Sequence, residues 1–225
     1  TGVKVQVLGN DGTAEEQLTD NTGSYNFKLN PLTSYEIGVY KEGYLNKTMS
    51  ETTVGLEHNK TFVIDFSVDP VKKEIILPRI EYDFAKWDLR PKSISDLDLL
   101  VLTLNDNPNV VVELTSHTDF VGSDSLNQLL SQKRADACVA YLISQGIESD
   151  RLKAVGKGEQ EPFVMEQKDG KLKKGDVLTE SYITKFRMKK NREKANQYNR
   201  RTSFKVLRED YVSNEIPEKV LEDKK

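Results

Sequence analysis

The apolar pattern changes period once along this chain, at "DPVKKE" (69–74), and that change constrains the fold more than any other feature. Before it, "VKVQVL" (3–8), "SYNFKL" (24–29), "SYEIGVY" (34–40) and "KTFVIDF" (60–66) alternate apolar with polar residues. They are rich in β-branched and aromatic side chains, the pattern of half-buried strands. Turn clusters "GNDGT", "DNTG", "NPLTS" and "KEGY" separate them. Short strands at such spacing predict a small all-β sandwich over residues 1–69. No chemical motif interrupts this pattern.

After a linker at 70–74 the period lengthens. "IILPRIEYDF" (75–84) and "NVVVELTSH" (109–117) read as strands, the second with the near-continuous apolar run of a strand central in a sheet. "RPKSISDLDLLVLTLNDNP" (90–108) and "SDSLNQLLSQKRADACVAYLISQG" (123–146) read as amphipathic helices, the latter with Ser123 or Asp124 at its N-cap and Gly146 at its C-cap. "RLKAVGKG" (151–158) and "RRTSFKVLRE" (200–209) are further strands, and "TESYITKFRMKKNREKANQYNRR" predicts one helix started by Thr179 and Glu180. The order predicts a two-layer α/β domain with a mixed sheet over 75–209 and a charged, frayed tail over 210–225. The fold class is therefore α+β, in two domains.

Charge and composition exclude several functions. The net charge of −3 favours neither nucleic acid nor an anionic membrane. The basic run Lys185, Arg187, Lys189, Lys190, Arg192 and Lys194 reads as a solvated helix face. The longest apolar run, "LLVLTL" (99–104), is far short of a membrane span, so no transmembrane segment is expected. One cysteine, Cys138, permits no internal disulfide and no multi-cysteine zinc site, and two histidines cannot build a His-rich metal site. No cofactor is implied. Ser116 and His117 are neighbours on a strand, so they point to opposite faces and cannot act as nucleophile and base. The chain reads as a binding protein and not an enzyme.

Two charges sit where folded proteins seldom place them. Asp119 lies in the loop just beyond a sheet strand. At about 100° per residue, Leu126, Leu130, Ala137 and Tyr141 share a helix sector of roughly 60°, and Arg134 lands about 40° from Leu130. Arg134 is thus expected inside or at the edge of the core-facing stripe, where an unmatched guanidinium is costly. Spacing alone leaves two answers open. Asp119 and Arg134 staple loop to helix as an ion pair, or both meet a ligand.

Family resemblance bears on that choice. "GVKVQVLGNDG", "TDNTGSYNFKL" and "SYEIGVYKEGY" resemble the carboxypeptidase-regulatory-like, or transthyretin-like, sandwich, which serves as a spacer or contact module. His117-Thr118-Asp119, Gly122, Asn127, Leu130-Ser131, Arg134-Ala135, Gly146-Ile147, Gly158-Glu159, Pro162 and Asn199-Arg200-Arg201 are similar to the peptidoglycan-binding domain at the C-terminus of outer-membrane protein A and in peptidoglycan-associated lipoprotein. "YDFAKWDLRP" (82–91) resembles that family's first strand and helix start.

The resemblance implies a ligand, the diaminopimelate of the peptidoglycan stem peptide, whose free end carries both an ammonium and a carboxylate. It implies Asp119 for the ammonium and Arg134 for the carboxylate, with Asn127, Thr118, Phe84 and Arg201 lining or supporting the site. Arg201 is read as lying on an edge strand. Ser116 stands where the family usually has glycine, Ala85 stands where many members have aspartate, and a long insertion separates Pro162 from Asn199. The combination is similar to the peptidoglycan-anchoring component of the type IX secretion system. It implies a periplasmic, outer-membrane-associated anchor with envelope or secretion-system proteins as partners. The rival is a protein-docking subunit with a degenerate domain and an internal Asp119–Arg134 pair.

Overall fold

The computed structural model describes residues 1–77 and 86–213. The chain divides into two compact units, one formed by Thr1–Lys73 with Thr103–Asn107 and the other by Glu74–Leu102 with Pro108 onwards.

In the first unit, β1 (Lys4–Gly9), β2 (Ala14–Leu18), β3 (Ser34–Tyr40) and β4 (Lys47–Thr52) form an antiparallel sheet in the order β2-β1-β3-β4. Its core is Val5, Val7, Tyr35, Ile37 and Val39, the alternate residues of β1 and β3. The segments 24–29 and 60–66 are not strands, contrary to the expectation. They nevertheless turn alternate side chains inward: Tyr25, Phe27, Leu29, Ile64 and Phe66 pack on that core, and Tyr25 Oη donates to Ile64 O at 2.7 Å. The inward-facing period of two was legible; the hydrogen-bonded ladder was not. β2 and β4 went unread because "AEEQL" and "KTMSET" are mostly polar and lack an alternating apolar stripe. Both are edge strands, held by backbone pairing to β1 and β3 and not by an apolar stripe.

In the second unit, β5 (Ile75–Leu77), β6 (Val111–Ser116), β7 (Leu152–Gly156) and β8 (Thr202–Arg208) form a mixed sheet in the order β5-β8-β6-β7. β6 runs parallel to β7 and antiparallel to β8. All six residues of β6 are buried, as its apolar run predicts. β8 lies between β5 and β6, so the stretch that Arg201 precedes is an interior strand and not an edge. The helices are α1 (Pro91–Asp106), α2 (Asp124–Ser144), α3 (Glu180–Ile183) and α4 (Lys189–Asn199).

α2 begins with Ser123, whose hydroxyl accepts from Leu126 N. It ends in paired backbone bonds, Gly146 N to Ile143 O and Ile147 N to Leu142 O, closed by Gly146 at φ +91°. That is the Schellman arrangement, and the left-handed φ is why glycine stands there.

The insertion folds around a small core of Met165, Leu172, Leu178, Ile183 and Ala195. It contains two helices where one was expected. Phe186 lies between them, packed on that core and edge-on to Tyr182, with 5.5 Å between ring centroids. A continuous helix is given up there so that an aromatic ring reaches the core. Asn199 ties the insertion shut: its Oδ1 accepts from Phe163 N and its Nδ2 donates to Leu178 O, each at 2.8 Å.

Candidate functional site

The loop after β6 is held at both sides. His117 N donates to Arg201 O and Thr118 N to Gly158 O, each at 2.8 Å, so the backbone stays tied to the neighbouring segments beyond the strand's end. The Asp119 carboxylate then accepts Val121 N at 3.1 Å, a side-chain turn that starts the approach to α2. Asn127, one turn into α2, donates its amide back to Asp119 O at 3.2 Å and to the Glu159 carboxylate. The predicted supporting role of Asn127 therefore has a geometry: it fixes the loop that carries Asp119.

Asp119 is only 8% exposed. Its ion partner is Arg200, through Nη1. No ion pair joins Asp119 to Arg134 among the described residues, so the internal staple offered as the rival reading is corrected. The Arg200 guanidinium is shared, since Nη2 donates to Glu193 Oε1 and to Gln197 Oε1, the latter at 2.7 Å. Both acceptors belong to α4 of the insertion. Burial works against the charged form of Arg200, while its bonds to Glu193 and Asp119 outweigh that and raise its pKa.

Arg134 lies in the buried stripe of α2, 5% exposed, with Nε donating to Lys86 O at 3.1 Å. The stripe itself differs from the expected face. It runs through Asn127, Ser131, Arg134, Ala135, Cys138 and Leu142, while Leu126 is 63% exposed. The reason is the approach of α2 to β7. A Cβ on Gly156 would lie 2.3 Å from Gln132 N and 2.6 Å from Gln132 Cα, which are backbone atoms that cannot turn aside. Only small or polar residues fit such a seam. Ser131 Oγ accepts Gly158 N, and Gln128 and Gln132 bond the Gly156 backbone from the helix side. The pattern Asn127, Ser131, Ala135, Cys138, Leu142 was readable as one helical stripe of mostly short side chains, and following the larger leucines instead gave the wrong face.

The buried His117 and Thr118 and the half-buried Arg201 form a second polar group. Among the described residues, neither ring nitrogen of His117, nor Thr118 Oγ1, nor Arg201 Nη1 has a hydrogen-bond partner. Burial holds the His117 imidazole neutral, with its pKa pushed down to about 3. The Arg201 charge and, more weakly, Lys157 act in the same direction, and Glu161 opposes them. Arg201 donates Nη2 to Glu161 O at 3.1 Å, and its guanidinium carbon lies 5.5 Å from the centre of the Phe163 ring. Ser116 Oγ lies 2.8 Å from Thr202 Oγ1. His117 and Ser116 therefore do not form a nucleophile–base pair.

Of the residues read from sequence, Asp119, Thr118 and Asn127 share one loop and helix start, Arg134 lies two turns further along the same buried stripe, and Arg201 sits beneath the loop. Phe84 lies outside the described residues, as does Ala85. Sequence reasoning missed Arg200 as a site residue, although it stands in the Asn199-Arg200-Arg201 motif. A guanidinium for a lone loop carboxylate was to be sought there. Chemically, the pinned loop presents the Asp119 carboxylate with the Arg200 guanidinium paired to it, and no cluster able to hold a metal ion occurs among the described residues.

Residues 82–175 match the model of the OmpA family, and the second unit carries an OmpA-like domain. The match includes Thr118, Asp119, Asn127 and Arg134; Arg200 and Arg201 lie beyond it. Outer membrane porin F of Pseudomonas fluorescens is 39% identical over 83 residues, which are 37% of this chain and 26% of that protein. Outer membrane protein A of Salmonella typhi is 43% identical over 83 residues, 36% of this chain and 24% of that protein. The chain thus spans about a quarter of the length of these curated relatives. Among solved structures, the peptidoglycan-associated lipoprotein of Burkholderia pseudomallei is 20% identical with a TM-score of 0.42, over 60% of this chain and 90% of that one. A MotB-like protein of Desulfovibrio vulgaris is 20% identical with a TM-score of 0.43, over 63% and 76% of the two chains. Among the described residues, no helix is long and apolar enough to cross a membrane.

Proposed function

We propose that this protein binds peptidoglycan non-covalently through the diaminopimelate of the stem peptide and so anchors an envelope or secretion-system complex to the cell wall. The reading is of a periplasmic, outer-membrane-associated anchor that performs no catalysis. Residues 1–69 serve it as a carboxypeptidase-regulatory-like spacer or docking module, and the type IX secretion system is the assembly its architecture resembles.

The observation that carries the reading is the Asp119 loop. Its carboxylate is only 8% exposed and is held in place by Val121 N and by Asn127, which stands on the same buried helix stripe as Arg134, so a fixed acceptor for a cationic group lies on the helix that also presents a guanidinium. The match to the OmpA family over this stretch supports the same reading. An amino-acid head supplies both charges at once. Its carboxylate meets Arg134, where a guanidinium can bind it in two-pronged fashion, and its ammonium meets Asp119. Thr118 and Arg201 support the site from below, and Phe84 belongs to the same resemblance.

Calorimetric titration with a diaminopimelate-containing stem peptide, beside the same peptide carrying lysine, tests this. Binding of the first peptide, with affinity reduced at least about 100-fold in Asp119→Ala and in Arg134→Ala, is the expected result. If the wild-type protein binds neither peptide, and both variants only melt at lower temperature, the domain is a protein-docking module.

A further inference from the structure

Arg200 carries a consequence for selectivity that Asp119 and Arg134 alone do not. Among the described residues it is the cation that ion-pairs with Asp119, and it follows directly on α4 of the insertion. α4 supplies Glu193 and Gln197 to its Nη2, Asn199 closes the insertion immediately before it, and Phe120, next to Asp119, packs on the insertion's core. Both partners of the ion pair are thus held by well-packed elements.

We propose that Arg200 is a specificity-determining residue that makes the site selective for a zwitterionic head over a simple amine. This rests on the peptidoglycan reading above. An incoming ammonium must take the Asp119 carboxylate from Arg200 Nη1. With a lone ammonium, as on a lysine side chain, the exchange leaves that arm of the guanidinium without an anion, so one ion pair replaces another at the cost of a stranded donor. A head that carries a carboxylate beside its ammonium supplies the missing anion. One internal pair then becomes two crossed pairs, Asp119 to ammonium and Arg200, with Arg134, to carboxylate. The retained bonds to Glu193 and Gln197 keep Arg200 beside the site while its other arm changes partner. Arg200 therefore acts as an internal competitor that only a ligand of both charges satisfies.

The test uses the full chain, the two stem peptides named above and two variants. In Arg200→Gln the competitor is gone, so the lysine peptide is expected to bind about tenfold more tightly while the diaminopimelate peptide binds no better or more weakly. In Glu193→Gln the released state of Arg200 loses support, so the lysine peptide is expected to bind more weakly than to the wild type. The two variants move lysine binding in opposite directions, which general loosening of the loop cannot do. If the wild type binds the diaminopimelate peptide and both variants shift the two peptides by the same factor, Arg200 is a structural brace and this inference is wrong while the anchoring function stands. If the wild type binds neither peptide, the function itself fails and takes the inference with it.

Discussion

In the first sheet burial alternates: β1 buries Val5 and Val7, β3 buries Tyr35, Ile37 and Val39, and β2 is exposed along its whole length. In the second sheet β6 is buried at every position, and what it buries at its C-terminal end is polar. Thr115 and Ser116 pair there with Ser203 and Thr202 of β8, and the buried His117, Thr118 and Asp119 follow in the loop, where Asn127 donates to Asp119 O. An apolar interior needs only area removed from water. A polar one needs each group answered, so it concentrates cost and specificity in one place. The difference separates a region whose side chains explain stability from one whose side chains require a function as well.

Four substitutions or conditions would break or sharpen that contrast, beginning with the largest effect. Ile37→Ala removes a buried branched side chain from the first sheet and is expected to lower stability by about 2–5 kcal/mol in denaturant unfolding. Peptide affinity should stay within twofold of the wild type; a matching loss of binding would show that the first sheet does more than hold itself together. Gly156→Ala pushes a methyl group into the α2 backbone, and overpacking of this kind costs about 1–3 kcal/mol. Because the seam also holds Asn127 and Ser131, stem-peptide affinity should fall with stability in this variant. Unchanged affinity in a destabilised protein would separate the seam from the site.

The third concerns pH. His117 has a folded pKa of about 3 against an ordinary 6.5, so the unfolded chain takes up the proton first. Its contribution to stability is complete above pH 6.5 and is lost as pH falls towards 3, by roughly 2 kcal/mol between pH 6.5 and 5. Arg201 and Lys157 strengthen this loss and Glu161 weakens it. Chemical unfolding at both pH values, compared with His117→Leu, should show the smaller pH dependence in the variant. Equal slopes in the two proteins would mean that His117 is not the acid-sensitive group. The smallest effect belongs to Glu16→Thr on the exposed edge strand β2, expected to change stability by no more than about 0.5 kcal/mol. A larger change would mean that this strand's exposed face is covered in solution.

Much of the second unit was legible because its signals are local. The Ser123 cap, the Gly146 stop and the buried run of β6 each depend on a few neighbouring residues. The same is true of Asp119, conspicuous as a charge at the end of an apolar strand, and of Arg134 on its stripe. What was misread required a partner distant in sequence. The polar strands β2 and β4 exist because β1 and β3 offer them a ladder. The helix expected across 179–201 breaks because Phe186 finds a core to enter. The buried face of α2 was assigned to Leu126 and Leu130, whereas the close approach of Gly156 in β7 brings Ser131 and Gln132 against the strand.

The sequence by itself determined most of the strand and helix pattern of the second unit and marked two charges, Asp119 and Arg134, since periodicity, caps and the cost of burying charge act over a turn or a strand. Only the tertiary structure decided which charge answers which. Asp119 meets Arg200 from the far side of an insertion and not Arg134 from the adjoining helix, because ion pairing depends on distance in space. That distance is set here by the closing of the insertion at Asn199 and by the seam between α2 and Gly156.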